Sequence, residues 1–527
     1  MPADLTRIFG GRGRFLLLVL LMLGLMTPAL IAAPMSHDSF WIDRVWLEQF
    51  TAGLRAGNPY PRWLPLSFGG LGAPVFYFYA PLSFHLAGLF GLAGLPTYAA
   101  LMAAFGAAWL GSGFAMYAWL KRDAPAPLVG AGLYMVMPYH VMDFYGRGAL
   151  AEFCAFALIP LVALGLRRST EGGGSARLAL PYAALAMTHL PTAVIVSALL
   201  IVPAAVWYAR ADWRKLVPAI QGVTCGIGLA AIYLLPALTL QHHSSVAALW
   251  SVRFLQPGSW SILHPQAWPS TSYVLMFAGL ALCTALAALV LSRRSLPFWP
   301  LWTIVVCAIV AGLIPGVWSL PVLKAVQFPW RALALAEFGV VTVAACYRGS
   351  PVIATAMLSP LLGFTFLMIN PANPMGGDPM QPLPVPGRQD VIEYLPIGAV
   401  GPERTARVDA IRQAVVSAGR HPASTFPFPS LKARCADGRV TNLARNPESP
   451  LVFSPPLGCA VSVEHVPAER LGAAISLLFA CLLAGFTLPR QRRRRWPFTP
   501  QCAASGCCLA PQLVQLFLDL CQLVLER

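Results

Sequence analysis

The chain has 527 residues, 57% of them apolar and only 11% charged, with a mean hydropathy of +0.64. This composition excludes a soluble globular enzyme and points to a polytopic membrane protein. The formal charge of +16 does not call for a nucleic-acid partner, because the basic residues stand in short runs beside apolar stretches, where they set orientation across a bilayer.

In chain order, the first apolar stretch, Phe15 to Ala33, is long enough at ~1.5 Å per residue to cross a hydrocarbon core of about 30 Å. With Arg7, Arg12 and Arg14 before it and Ala32-Ala33 after it, it reads as a signal peptide or a retained anchor. The polytopic body that follows favours the anchor. Further apolar stretches run at 75–93, 97–119, 124–140, 150–166, 178–208, 218–239, 272–291, 297–316, 330–346, 351–369 and 471–488. The 178–208 stretch has the length of a short hairpin. Lys121-Arg122, Arg167-Arg168, Arg210 with Arg214-Lys215, Arg293-Arg294 and Arg492 to Arg495 fall where cytoplasmic loops would lie. Basic residues at both termini ask for an even number of crossings. The stretch 75–93, which opens after Pro74 and contains Pro81 and His85, is therefore expected to be re-entrant, interfacial or split. The expected fold is an all-α polytopic membrane protein with about 12 to 14 transmembrane helices, both termini cytoplasmic.

With that orientation the extracytoplasmic pieces are 34–73, the turn at 140–150, the loop 240–271, the turn before Trp330 and the region 371–470. The expected organisation is a transmembrane module over 1–370, including the first loop 34–73, a small extracytoplasmic domain over 371–470, a last span at 471–488 and a basic tail over 489–527. Of the twelve cysteines, Cys435 and Cys459 share a polar segment in an oxidising compartment, where a disulfide would contribute ~3 kcal/mol. The tail, with Cys502, Cys507, Cys508 and Cys521, ends in an apolar stretch, Leu513 to Leu525, expected to lie as an interfacial helix.

The first loop is the densest in charge and aromatics. FWIDRVWLEQFTAGLRAG places Ile42, Trp46, Phe50 and Leu54 on one helical face and Arg44, Glu48, Thr51 and Arg55 on the other, the pattern of a helix lying along the membrane surface. Trp41, Trp46, Tyr60 and Trp63 suit the headgroup level. Asp38 reads either as the N-cap of this helix or as a functional acid. The segment MDFYGRGALAEF puts Asp143, Arg147 and Glu152 at the outer end of two spans, where Arg147 and Glu152 pair across the turn or Arg147 binds a phosphate. VQFPWRALALAEF places Arg331 near the start of a span, to snorkel or to bind phosphate. Glu337 is ~9 Å further along, too far to pair with it directly. Thr188-His189-Leu190-Pro191 reads as a turn, with His189 as a substrate contact the lesser alternative. His242, His243 and His264 are too scattered for a metal site. ATP-driven transport, zincin proteolysis and serine hydrolysis have no motif in the chain.

The motifs HDSFWIDR, GNPYPRW, GGLGAPVFYFYAPL, FYGRGALAEF, THLPTA, QFPWRALAL and EYLP resemble those of the bacterial membrane proteins labelled 6-pyruvoyl-tetrahydropterin synthase-related. Those proteins are similar to YfhO-type proteins and to the wider GT-C glycosyltransferases, and the resemblance spans most of residues 15–488. It implies no pterin synthase, since that is a soluble zinc enzyme with clustered histidines. It implies a multi-pass protein of the bacterial inner membrane. That protein would move a sugar from a polyprenyl-phosphate donor to an extracytoplasmic glycan or lipid acceptor. Asp38 would then be the general base, with Asp43 or Glu48 as alternates. Arg147 and Arg331 would hold the donor phosphate, with Arg44 and Glu152 among the substrate-binding residues, and the region 371–470 would select the acceptor or cover the site. Asp38 is followed by Ser39 where many GT-C members carry a second acid, which weakens the case for a divalent metal. No other cofactor is implied, and the remaining partners are membrane lipids. The competing expectations are a carrier or flippase for a lipid-linked glycan, which would place polar groups at mid-membrane depth, and a non-catalytic envelope-assembly subunit.

Overall fold

The computed structural model describes residues 11–31, 39–245, 256–260, 298–324, 326–347, 391–397, 424–446 and 449–487, with isolated positions between them. Six helices among these are long and apolar enough to cross a membrane: Arg12–Ile31, Thr97–Leu120, Leu150–Gly173, Leu190–Ala209, Pro329–Cys346 and Pro467–Ala484. A bent pair, Trp213–Leu229 with Ala231–His243, is broken by 69° and has the length and composition of one broken span or a re-entrant loop. The expected spans at 272–291 and 351–369 and the tail lie almost entirely outside the described residues.

Several apolar runs break at a proline, although Pro28 and Pro160 sit inside unbroken helices. The 75–93 stretch is split into Val75–Phe78 and Leu82–Leu92, because Pro81 has no N–H to continue the ladder. The 124–140 stretch, expected as one span, is instead Pro127–Met135 followed by Pro138–Met142. The 178–208 stretch does divide near its centre: Ala176–Thr188 ends at His189, whose backbone is extended at φ −153° and ψ 100°, and Leu190–Val196 begins with Pro191 in its first turn.

The expectation that the first-loop helix lies on the membrane surface is corrected. Phe40–Arg55 is buried on most sides: Asp43, Gln49 and Thr51 are as hidden as Ile42, Trp46 and Phe50. Its aromatics Trp46 and Phe50 pack inward. Trp46, 2% exposed, meets Tyr79 edge-on at 5.0 Å, and Phe50 meets Phe76 at 4.6 Å. The helix packs on Leu82–Leu92 and Thr97–Leu120, so the split of 75–93 supplies the wall that covers it. The N-cap position is Ser39, which makes no side-chain cap. Asp38 lies outside the described residues.

Helix Leu216–Leu229 crosses Ala176–Thr188 through Gly222 and Gly226, a small-xxx-small spacing that lets membrane helices approach closely. A Cβ at Gly226 would stand 2.7 Å from the Tyr182 ring and 3.0 Å from the Ala179 carbonyl. Beyond the membrane helices, residues 424–463 form a small antiparallel β unit. β1 (Leu431–Cys435) is central in a sheet ordered β2-β1-β5, with β2 at Val440–Thr441 and β5 at Cys459–Val463. β3 (Ala444–Asn446) pairs with β4 (Ser449–Ser454). Cys435 and Cys459 face each other in the β1–β5 register and are joined by a disulfide. Phe428 of this unit packs on Tyr77 at 4.7 Å.

Two positions test this packing. Replacing Gly226 with Leu forces a side chain into the helix crossing and should destabilise the protein by about 1–3 kcal/mol, read as a lowered Tm in detergent. Gly148 has φ +60°, and a Cβ there would lie 2.5 Å from the Phe40 Cβ. Gly148→Ala should cost about 1–2 kcal/mol from the left-handed backbone alone. It should also loosen the Phe40–Arg55 helix, seen as faster limited proteolysis there.

Candidate functional site

The site begins with a short, awkward piece of chain. Pro138–Met142 forms a single helical turn, Asp143–Arg147 widens into a π turn, and Gly148 reverses the backbone before helix Leu150–Arg168 begins. Wide turns of this kind aim side chains that a regular helix would not. Here they bring Asp143 and Arg147 over the first turn of the following helix, where Glu152 stands. The Arg147 carbonyl also accepts a hydrogen bond from the Ser39 amide at 3.0 Å, which fixes the start of the first-loop helix against this corner.

Glu152 is the centre of the group. Its Oε2 accepts a bond from Arg147 Nη1 at 2.7 Å and lies 3.4 Å from Arg331 Nε; its Oε1 accepts from the Tyr139 hydroxyl at 2.5 Å. Arg147 Nη1 also reaches Asp143 Oδ1 at 2.8 Å. Arg331 donates through Nη1 to the Val326 carbonyl at 2.8 Å, and its guanidinium lies over the Phe328 ring at 5.0 Å. The Glu152 side chain is 2% exposed and each arginine 11%, so the charges meet largely out of water, where the interaction is least screened.

Of the residues singled out from sequence, Arg147, Glu152 and Arg331 are thus brought together. The expected Arg147–Glu152 pair forms, and Arg331 joins it from far along the chain. Snorkelling is not what Arg331 does here. Asp43 comes close but serves the backbone, since it is fully buried and its Oδ2 accepts a bond from the Leu150 amide at 3.1 Å. It caps from outside one of the amides that a helix start leaves unpaired. Glu48 is exposed, about 140° round the helix from Asp43 at ~3.6 residues per turn. Arg44 is within electrostatic range of Tyr98, at the start of Thr97–Leu120. Glu337, too far to pair with Arg331, instead accepts bonds from the Tyr139 and His140 amides at 2.5 and 3.2 Å. Cys435 and Cys459 serve the β unit and stand outside this group. His242 and His243 form an exposed turn, and His264 lies outside the described residues. Among the described residues no cluster of three His, Cys, Asp or Glu side chains could hold a metal ion.

Sequence reasoning gives no role to Tyr139, Glu337 or Tyr79 in this neighbourhood and makes a substrate contact only the lesser reading of His189. Tyr139 is hidden because its importance lies in one hydroxyl-to-carboxylate bond. Glu337 is hidden because it serves a distant helix start. His189, 7% exposed, bonds Thr192 Oγ1 through Nδ1 at 2.7 Å, and its ring lies within electrostatic range of Glu152, Arg331 and Arg147. The break at THLP carries that signal. Tyr79 is in range of Asp43, Arg331, Glu152 and Arg147, and with Trp46 it forms an aromatic wall. On that wall sits Tyr394 of EYLP, 5.9 Å from Trp46 and 6.3 Å from Phe78. The segment is held by Ser245, whose amide donates to the Leu395 carbonyl at 2.8 Å and whose hydroxyl donates to the Pro396 carbonyl at 3.0 Å.

A second buried charge group also escapes the sequence. Arg62 Nε lies 3.4 Å from Glu469 Oε2, both side chains 6% exposed, and Tyr77 donates to Glu469 Oε1 at 2.7 Å. Arg62 also donates to the Ile232 carbonyl at 2.8 Å, beside the break of the bent pair. This group joins the first loop to the last span.

No family model matches the chain, and no curated protein does. Two solved structures of arabinofuranosyltransferase AftD from Mycobacteria are similar to it. One, of a mutant, is 18% identical over 68% of this chain with a TM-score of 0.39. The other is 17% identical over 68% with a TM-score of 0.37. The chain spans 27% and 26% of the length of those two chains.

Proposed function

We propose that this chain is a membrane glycosyltransferase of GT-C-like architecture, transferring a sugar from a polyprenyl-phosphate donor to an acceptor on the extracytoplasmic side of the bacterial inner membrane. The observation that carries this reading is the meeting of Arg147 and Arg331, from separate ends of two helices, on a single carboxylate oxygen of Glu152. Two guanidiniums converging on one oxyanion form a geometry that also suits the oxygens of a phosphate ester. The resemblance of HDSFWIDR, FYGRGALAEF and QFPWRALAL to GT-C proteins and their relatives supports the same assignment. In this reading Asp38, just before the helix whose start bonds to Arg147, takes the proton of the acceptor hydroxyl as it attacks the anomeric carbon. The donor's own phosphate is the leaving group, so no nucleotide is needed.

The region 371–470 is proposed as an extracytoplasmic domain that covers the site. In support, its EYLP segment packs on Trp46, which stands against Tyr79 beside the arginines. The position of the group at the ends of its helices, with Glu152 in the first turn of its own and Arg331 just ahead of Leu333–Cys346, favours a boundary reaction over a carrier path. A carrier needs its polar groups near the midplane.

Purified protein in nanodiscs is tested with a panel of short-chain polyprenyl-phosphate sugars, reading release of the polyprenyl phosphate. Asp38→Asn should lower turnover by about 100-fold or more with little change in donor binding. Arg331→Gln should weaken donor binding by about tenfold or more, the value of one charge-assisted bond. An Asp38→Asn protein that turns over at the normal rate removes the proposed base. An Arg331→Gln protein with unchanged donor affinity removes the proposed phosphate site.

A further inference from the structure

The arginine pair is already occupied. Glu152 Oε2 sits between Arg147 and Arg331, in the place that an oxygen of the proposed phosphate would take. Among the described residues the charged and titratable groups around it are Asp43 from the first-loop helix, Tyr79 after Val75–Phe78, Tyr139, Asp143 and Arg147 from the π corner, His189 from the THLP break and Arg331 ahead of Leu333–Cys346. Among the described residues two guanidiniums face Glu152 and Asp143, a balance of zero, and Asp43 adds a further carboxylate close by. A phosphodiester brings one more negative charge. Added to a buried group whose guanidiniums, among the described residues, are already matched by carboxylates, it would leave an uncompensated carboxylate, a state costing several kcal/mol.

We propose that Glu152 is a resident anion of the phosphate site, which yields its place to a phosphate ester only as one proton is taken up. Glu152 leaves the arginines, the phosphate oxygen replaces it, and the proton neutralises the displaced carboxylate, either on Glu152 itself or on the neighbouring His189. The charge of the inner group is then unchanged by binding. Tyr139 opposes the exchange, because its hydroxyl donates to Glu152 Oε1 and so stabilises the ionised form. This regulation rests on the reading that Arg147 and Arg331 hold phosphate, and the test separates the two.

The probe is farnesyl methyl phosphate, a phosphodiester whose single charge stays constant between about pH 5.5 and 8.5, unlike a monoester, which titrates near pH ~6. It is titrated into the purified full chain in nanodiscs, with tryptophan fluorescence as the readout. Uptake of one proton makes affinity fall about tenfold for each unit of rising pH. Glu152→Gln should bind more than about tenfold tighter at pH 8 and lose the pH dependence. Tyr139→Phe, which keeps the carboxylate and the ring, should tighten binding at neutral pH and move the whole profile to higher pH; it decides the matter if the Gln variant does not fold. A flat profile for the unmodified chain, or a Glu152→Gln protein that binds no tighter, overturns the proposal while the arginine site stands. If Arg147→Gln and Arg331→Gln bind the probe as well as the unmodified chain does, the phosphate site itself is overturned.

Discussion

Glu152 holds Arg147 and Arg331 together, and the architecture at this end of the molecule follows from the cost of burying those charges. Removing each ion from water costs several kcal/mol even after relaxation, and mutual attraction repays it only when every lone pair and N–H is met. The surroundings meet much of that demand, although Arg331 Nε makes no hydrogen bond among the described residues. Tyr139 serves the second Glu152 oxygen, Asp143 takes a share of Arg147, and the Val326 carbonyl takes a share of Arg331. Tyr139 must therefore sit where its hydroxyl reaches inward, and Glu337 holds it there by accepting its amide hydrogen.

The same constraint explains the shape of the first loop. For Arg147 to point back over helix Leu150–Arg168, the chain must reverse sharply, and Gly148 in the left-handed region provides the reversal. The missing Cβ then lets Phe40 approach, so the first-loop helix is seated on the corner. Once seated, Asp43 falls on the open amide of Leu150 and caps the helix that carries Glu152. Burial of this helix, which its amphipathic sequence does not predict, is thus a consequence of tertiary partners: Asp43 and Gln49 go inward because each accepts a bond from a backbone amide there, that of Leu150 or of Leu66. Arg62 and Glu469 repeat the arrangement further along the loop, tying it to the last span and to the bent pair.

Much of this is legible in the sequence, and what is hidden has a physical cause. The apolar runs locate the long spans, and Pro and Gly within them locate most breaks, because both effects are local. Cys435 and Cys459 stand out as the two cysteines in polar sequence and are bonded across β1 and β5. Arg147, Glu152 and Arg331 are visible because charges beside membrane spans are expensive and conspicuous. Their meeting is not, since it depends on how helices far apart in the chain pack. Periodicity misplaces the first-loop helix because it sorts residues by face and says nothing of what lies beyond each face. The roles of Tyr139 and Glu469 stay hidden for the converse reason: each is an ordinary residue in its own segment, and only its partner gives it meaning.

A buried ion group is weak evidence for stability alone, because well-packed apolar residues can replace one without loss. A group maintained for packing has no reason to collect two guanidiniums on one oxygen atom, since a single bidentate pair satisfies a carboxylate more fully. Here Arg331 approaches Glu152 through Nε at 3.4 Å, longer than the 2.7 Å bond from Arg147, while its Nη1 bonds a backbone carbonyl. That arrangement is poor as a salt bridge and good as a pair of donors splayed around a shared acceptor. On the proposed reading a tetrahedral phosphate, with several oxygens set apart from one another, would fill that splay.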